Sequence, residues 1–196
     1  MKRTNHFYTV FSIKSVALLF ALLIAFGQSD LSGQSLWQIG KQDQSAAEFA
    51  LAQNDYAQFL QRFGSPDRAF YVGLSKATND WPYVLPGPLD AWAGGNPDGS
   101  WDQMNTMPIG FELEAVPASG QCALLVDLCD AVSNHPLRLR VTINNAIREV
   151  EIPAGGGDAS LRGDYAKAKA HTARVEFPAS LLRVGYNEIA LRTTTG

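Results

Sequence analysis

Four aromatic side chains, Trp81, Tyr83, Trp92 and Trp101, fall close together and are interleaved with Asn79, Asp80, Asp90, Asn96 and Asp98. Aromatic rings carry a large apolar area and a directional π-face. Rings in such a setting can stack on the apolar face of a sugar while the amides and carboxylates bond its hydroxyls. The chemistry suggested is therefore glycan binding, with Trp92, Trp101, Tyr83 and Trp81 as platforms and Asp90, Asn96 and Asp98 as polar partners. A structural role competes with it. "DWPYVLPGPLDAWAGG", residues 80–95, holds three prolines and three glycines, which no regular helix or central strand tolerates. Trp81 and Trp92 could fold inward and cover the edge of a sheet. Trp37, which heads a strand with Ile39, is assigned to the core.

Cations form a second group. Arg162, Lys167, Lys169 and His171 cluster in "RGDYAKAKAH", and Arg138 and Arg140 share one strand face. They would suit a uronate-bearing ligand, with Arg162 the first candidate, although surface charges are the norm. β-Elimination would need a base at the uronate C5 proton and a cation for its carboxylate. Lys169 or His171 with Arg162 could be written into that scheme, but no motif supports it. There is no Gly-x-Ser-x-Gly and no carboxylate pair that can be nominated for glycosidase work. No catalytic residue is assigned, so the chain is not expected to be an enzyme on its own. No cofactor is implied either, although a calcium held by aspartates and backbone oxygens in the loop 94–102 remains open.

Cys122 and Cys129 sit in "GQCALLVDLCD". On one strand their Cα atoms would be about 23 Å apart at roughly 3.3 Å per residue. A disulfide needs Cα atoms within about 7 Å. The odd spacing also sends the two side chains to opposite faces, so no bridge between them is expected.

The first 27 residues read as an export signal. Lys2, Arg3 and Lys14 are its positive region, and "VALLFALLIAF", residues 16–26, is an unbroken apolar run. Ala25-Phe26-Gly27 supplies small residues for a cut before Gln28. The run is short for a membrane span, and an uncleaved N-terminal anchor is the alternative. The protein is thus expected to be secreted or periplasmic, with residues 28–196 forming a single module. That module carries 13 basic and 19 acidic residues, a net charge of −6. This argues against nucleic acid as a partner.

Strand signals dominate beyond the leader. They cover 35–40, 68–75, 106–116, 122–131, 137–145, 147–153, 173–178 and 187–193. The clearest is "LRLRVTINN", where Leu137, Leu139, Val141 and Ile143 alternate with Arg138, Arg140 and Thr142. Asn144-Asn145-Ala146 then forms a hairpin-type turn. The region 46–63 holds a helical turn or two. "AGGGDASLRGD", residues 154–164, reads as a long mobile loop without the context of a phosphate loop. Short strands separated by Gly, Pro and Asn turns imply an all-β fold, an antiparallel β-sandwich or jelly roll.

Several strings together resemble one family. They are "LWQIGKQDQSAAEF" at 36–49, "YVGLSKATNDWPYVLPGPLDAW" at 71–92, "LLVDLCDA" at 124–131, "LRVTINN" at 139–145 and "VGYNEIALRT" at 184–193. The chain is similar to the carbohydrate-binding-like domain III of the family-4 polysaccharide lyases, the rhamnogalacturonan lyases. The most specific segments are Trp37 to Asp43 and Tyr71 to Pro82. The resemblance implies a jelly-roll, galactose-binding-like β-sandwich module that binds or positions pectic, plant cell-wall polysaccharide beside a catalytic lyase domain. Elimination chemistry would belong to that other domain. A docking domain without a ligand of its own is the alternative, and a small lyase is a third. Family modules continue past the "NEIALRT" strand, so a C-terminally truncated module or a fragment of a larger lyase also stays open.

Overall fold

A computed structural model describes residues 10–16, 34–41, 48–51, 55–64, 68–90, 92, 106–116, 118–157 and 164–195. In these segments, period-two alternation places apolar side chains on one face of each strand, and two sheets bury those faces against each other. The first sheet has the order β2-β1-β5-β8, with β1 Val10–Val16, β2 Gln34–Ile39, β5 Gln121–Leu128 and β8 His171–Pro178. The second has the order β3-β4-β9-β6-β7, with β3 Phe70–Tyr71, β4 Met107–Leu113, β6 Leu137–Ile143, β7 Ala146–Ile152 and β9 Gly185–Thr193. All neighbours pair antiparallel except β3 and β4, which are parallel. One continuous core joins Leu124, Val126, Val175 and Phe177 of the first sheet to Ile109, Phe111, Val141 and Ile189 of the second. The expected all-β sandwich is what forms.

Local chemistry explains the boundaries. Asn144 adopts φ 51° in the β6–β7 turn, a left-handed conformation that asparagine tolerates. The strand expected at 68–75 shortens to β3, because the chain turns at once: the N–H groups of Leu74 and Ser75 both donate to Tyr71 O, at 3.0 and 2.8 Å. The region 46–63 contains a 3-10 turn at Tyr56–Gln58 and a short helix α1, Phe59–Phe63, whose Phe59 and Phe63 enter the core. A second short helix, α2, spans Ala77–Asp80. Trp37 lies in the core and meets the Phe111 ring at 5.4 Å.

One finding differs from expectation. In the segment 154–164, residues 154–157 are not a loose loop, while 158–163 lie outside the described residues. Gly155 and Gly157 are buried, and a side chain at Gly156 would place its Cβ 1.7 Å from the Lys167 carbonyl oxygen. Asp130 fastens the junction: its Oδ1 accepts from the N–H groups of Ala131 at 2.9 Å, Gly156 at 2.5 Å and Lys169 at 3.1 Å. The glycines are there because two backbones pass at contact distance, which only a residue without Cβ permits.

The N-terminal segment read as an export signal falls partly among the described residues. Its residues 10–16 form β1, an interior strand. The register sets Phe11 opposite Ile39 and Val126, and Ile13 opposite Trp37 and Leu124, with a shift between Ile13 and Lys14 on the β2 side. A cut before Gln28 would remove this strand.

Both cysteines are free, Cys122 near the start of β5 and Cys129 just past its end. Burial pushes the Cys129 thiol well above its usual pKa, and the carboxylates of Asp130 and Asp127 push it further. Burial raises Cys122 as well. Since the thiolate is the nucleophile, iodoacetamide at pH 8 should label neither cysteine in the folded protein and both in guanidinium. Fast labelling of the native protein, read by mass, would contradict this.

Candidate carbohydrate-binding face

The aromatic loop was the first place to look for a site, and most of it serves the core. Trp81 is a correction to the expected platform: it is 1 % exposed and meets Phe70 edge-on at 5.8 Å. A ring with no free face cannot stack on a sugar. The chain around it is pinned, since Ala50 N–H donates to Trp81 O at 2.8 Å and Tyr83 N–H donates to Ala50 O at 3.0 Å. Pro86, Gly87 and Pro88 are buried, and the Thr193 hydroxyl donates to Pro86 O. Asp90 closes the turn by accepting from Gly87 N–H at 2.7 Å. Tyr83 and Trp92 are half-buried against the core, and Trp92 meets Tyr56 at 5.0 Å and Phe59 at 5.9 Å. Trp101, Asn96, Asp98 and Arg162, with the loop 94–102 considered for calcium, lie outside the described residues. Lys167 and Lys169 are exposed before β8, and His171 begins that strand.

A second surface is built by the outward-facing residues of the five-stranded sheet. Register fixes its rows. Tyr71, Gly110 and Glu188 lie side by side on β3, β4 and β9, with Glu112 and Tyr186 in the adjoining row. Gly110 is the pivot. A Cβ there would lie 2.9 Å from both Cε2 and Oη of Tyr186 and 3.0 Å from Cδ1 of Tyr71. The two rings therefore converge above Gly110 from opposite neighbours, and only glycine leaves room for them. Both stay open to solvent, Tyr71 at 43 % and Tyr186 at 38 %.

Each tyrosine is held by its surroundings. Tyr71 N–H donates to Ser75 Oγ at 2.9 Å, inside the tight turn that ends β3. The Tyr186 hydroxyl donates to Glu188 Oε2 at 3.3 Å. Partial burial holds its pKa above the usual phenol value, and nearby Glu188, Tyr71 and Glu112 act in the same direction. The hydroxyl therefore remains a hydrogen-bond donor at neutral pH. Two rings beside two carboxylates, Glu112 and Glu188, form the pairing of stacking surface and hydroxyl acceptors that sugars require.

The face continues past this cluster. Pro108, Ala190, Thr142 and Ile147 form the next row, and Arg192, Arg140 and Glu149 the row beyond. Arg140 pairs with Glu149 at 2.8 Å.

Tyr71, Tyr186, Glu112, Glu188 and Arg192 are not among the sequence-predicted site residues. Their signal was present in the strand phase. Tyr186 and Glu188 alternate with the buried Asn187 and Ile189, and Gly110 occupies an outward position between Ile109 and Phe111. An outward tyrosine beside an outward glycine on the next strand marks a ring laid flat on a sheet. Finding it requires knowing that β4 and β9 are neighbours.

The comparisons with known proteins agree with this fold. A search of curated proteins returns no match. The family model described as CBM-like, polysaccharide lyase family 4, domain III, matches residues 35–196. That span takes in β3 to β9, all of β2 but its first residue, and every residue of the tyrosine face, so the chain belongs to the CBM-like domain III family of the family-4 polysaccharide lyases.

Proposed function

We propose that this chain is an exported, non-catalytic module that holds pectic polysaccharide on the outer face of its five-stranded sheet and positions it for a lyase domain. The observation that carries the reading is the pair of exposed tyrosines converging over Gly110 beside Glu112 and Glu188. Family membership supports it from a separate direction. Trp81 and Trp92 then act as packing residues that hold the 80–92 segment against the core.

Affinity electrophoresis through gels containing rhamnogalacturonan or other plant polysaccharides tests the reading. The chain should be retarded, and Tyr186→Ala or Tyr71→Ala should each weaken binding about tenfold, the order expected for loss of one stacking ring. Unchanged thermal melts of the variants establish that the fold persists. A chain retarded by no glycan overturns the reading. Docking to a lyase domain without a ligand is the second reading, favoured by the inward packing of Trp81 and Trp92. It predicts no retardation, together with co-elution with the catalytic domain.

A further inference from the structure

The tyrosine pair occupies one end of the face, and the opposite end is cationic. Arg192 and Arg140 stand directly opposite each other on β9 and β6. Adjacent strands lie about 4.8 Å apart; burial lowers the Arg192 pKa, and the neighbouring Arg140 charge lowers it further. Among the described residues, the one carboxylate at hand pairs with Arg140 alone. Glu149 binds Arg140 through Nε at 2.9 Å and through the second nitrogen at 2.8 Å. Among the described residues Arg192 has no ion-pair partner, and its Nε is buried without a hydrogen-bond acceptor. A buried, unpaired N–H on a cation is costly. The pair is thus short of one anionic acceptor on the surface proposed to hold the glycan.

The geometry points to a carboxylate-selective subsite at Arg192 and Arg140, which binds the uronate groups of an acidic polysaccharide whose sugar rings rest on Tyr71 and Tyr186. This rests on the carbohydrate-binding reading above. Tyr186 and Arg192 are six residue steps apart on β9, a span of about 20 Å at roughly 3.3–3.4 Å per residue. That length suits an oligosaccharide, not a single sugar. The intervening row offers Pro108, Ala190 and Thr142, none of which has a long side chain to interrupt a bound polymer. A guanidinium donates two parallel N–H bonds to a carboxylate and remains charged throughout the physiological range. Both properties fit recognition of a uronate over a neutral sugar.

The test compares polygalacturonate with its fully methyl-esterified form, the same backbone without the charges, in affinity gels and by titration calorimetry. Wild type should bind the free-acid polymer about tenfold more tightly, with a preference that fades as salt is raised. Arg192→Gln should abolish the preference, bringing affinity for the free acid down to that for the ester. Glu149→Gln, which frees Arg140 from its internal partner, should increase affinity for the free acid a few-fold. Equal wild-type binding to both polymers would overturn the subsite and leave the carbohydrate-binding reading standing. So would an Arg192→Gln variant that keeps full preference for the free acid. A wild-type chain that binds neither polymer, nor any other glycan, would overturn both.

Discussion

Deleting residues 1–27 lowers the unfolding temperature by roughly 10–20 °C relative to the full chain and promotes self-association. The reason is the place of β1 in its sheet. It has register partners at five positions of β2 and seven of β5. Among the described residues β2 is bonded to no other strand, so removing β1 also detaches the strand that carries Trp37 and Ile39 into the core. At about 1 kcal/mol net per backbone hydrogen bond, the loss is on the order of 5 kcal/mol or more. Each kcal/mol moves the midpoint of a domain this size by about 2–4 °C. Thermal melts by circular dichroism, with gel filtration of both proteins, check the result. A synthetic peptide spanning residues 10–16 should restore part of the lost stability by mass action. Identical melting of the two proteins would show that the sheet closes without β1. If export processing cuts before Gln28, the deletion protein is also the mature one, and its open slot is the property to measure first.

Asn187→Ala destabilises the module by about 3 kcal/mol or more. Asn187 is fully buried on β9 and uses all of its side-chain capacity. Its Nδ2 donates to Arg183 O at 2.7 Å and Gly185 O at 2.9 Å, while its Oδ1 accepts from Arg183 N–H at 2.9 Å and Asn144 Nδ2 at 3.1 Å. Alanine strands those partners at the junction of the 181–185 turn and the β6–β7 hairpin. Asn144 extends the network by donating to Leu181 O at 2.6 Å and accepting from Glu188 N–H at 3.0 Å. The loss should therefore reach the sheet that carries Tyr186 and Glu188. Asn187→Asp should be at least as damaging, because it removes both donors and buries a charge. Equilibrium urea unfolding measures both variants. A loss below about 1 kcal/mol for Asn187→Ala would mean that the network adds little net stability.

Much of the sandwich is legible in the chain because alternation is a local property. Leu139, Val141 and Ile143 had to face one way and Arg138, Arg140 and Thr142 the other, whatever they packed against. Continuous burial of Cys122, Ala123 and Leu124 follows from the unbroken apolar run of β5. The asparagine turn at 144 follows from its tolerance of positive φ. The candidate site was not legible in the same way. Trp81 and Trp92 have the residue type of a glycan platform, but type does not state which face of a ring is free. Gly155 and Gly156 have the composition of a loose loop, but only the backbones passing at Ala131 and Lys167 reveal them as close-packed. Residues 10–16 sit beside an apolar run that reads as a leader, which hides their strand alternation.

The division follows from range. Strand phase, hairpin turns and the separation of the two cysteines depend on neighbours within a few residues, and the amino-acid order by itself determined them. The pairing of Tyr71 with Tyr186 over Gly110, and of Arg140 with Arg192, joins residues far apart in the chain through register between strands. Register across a sheet is set by the burial of whole faces in one core, so only the tertiary structure could decide which side chains share a surface.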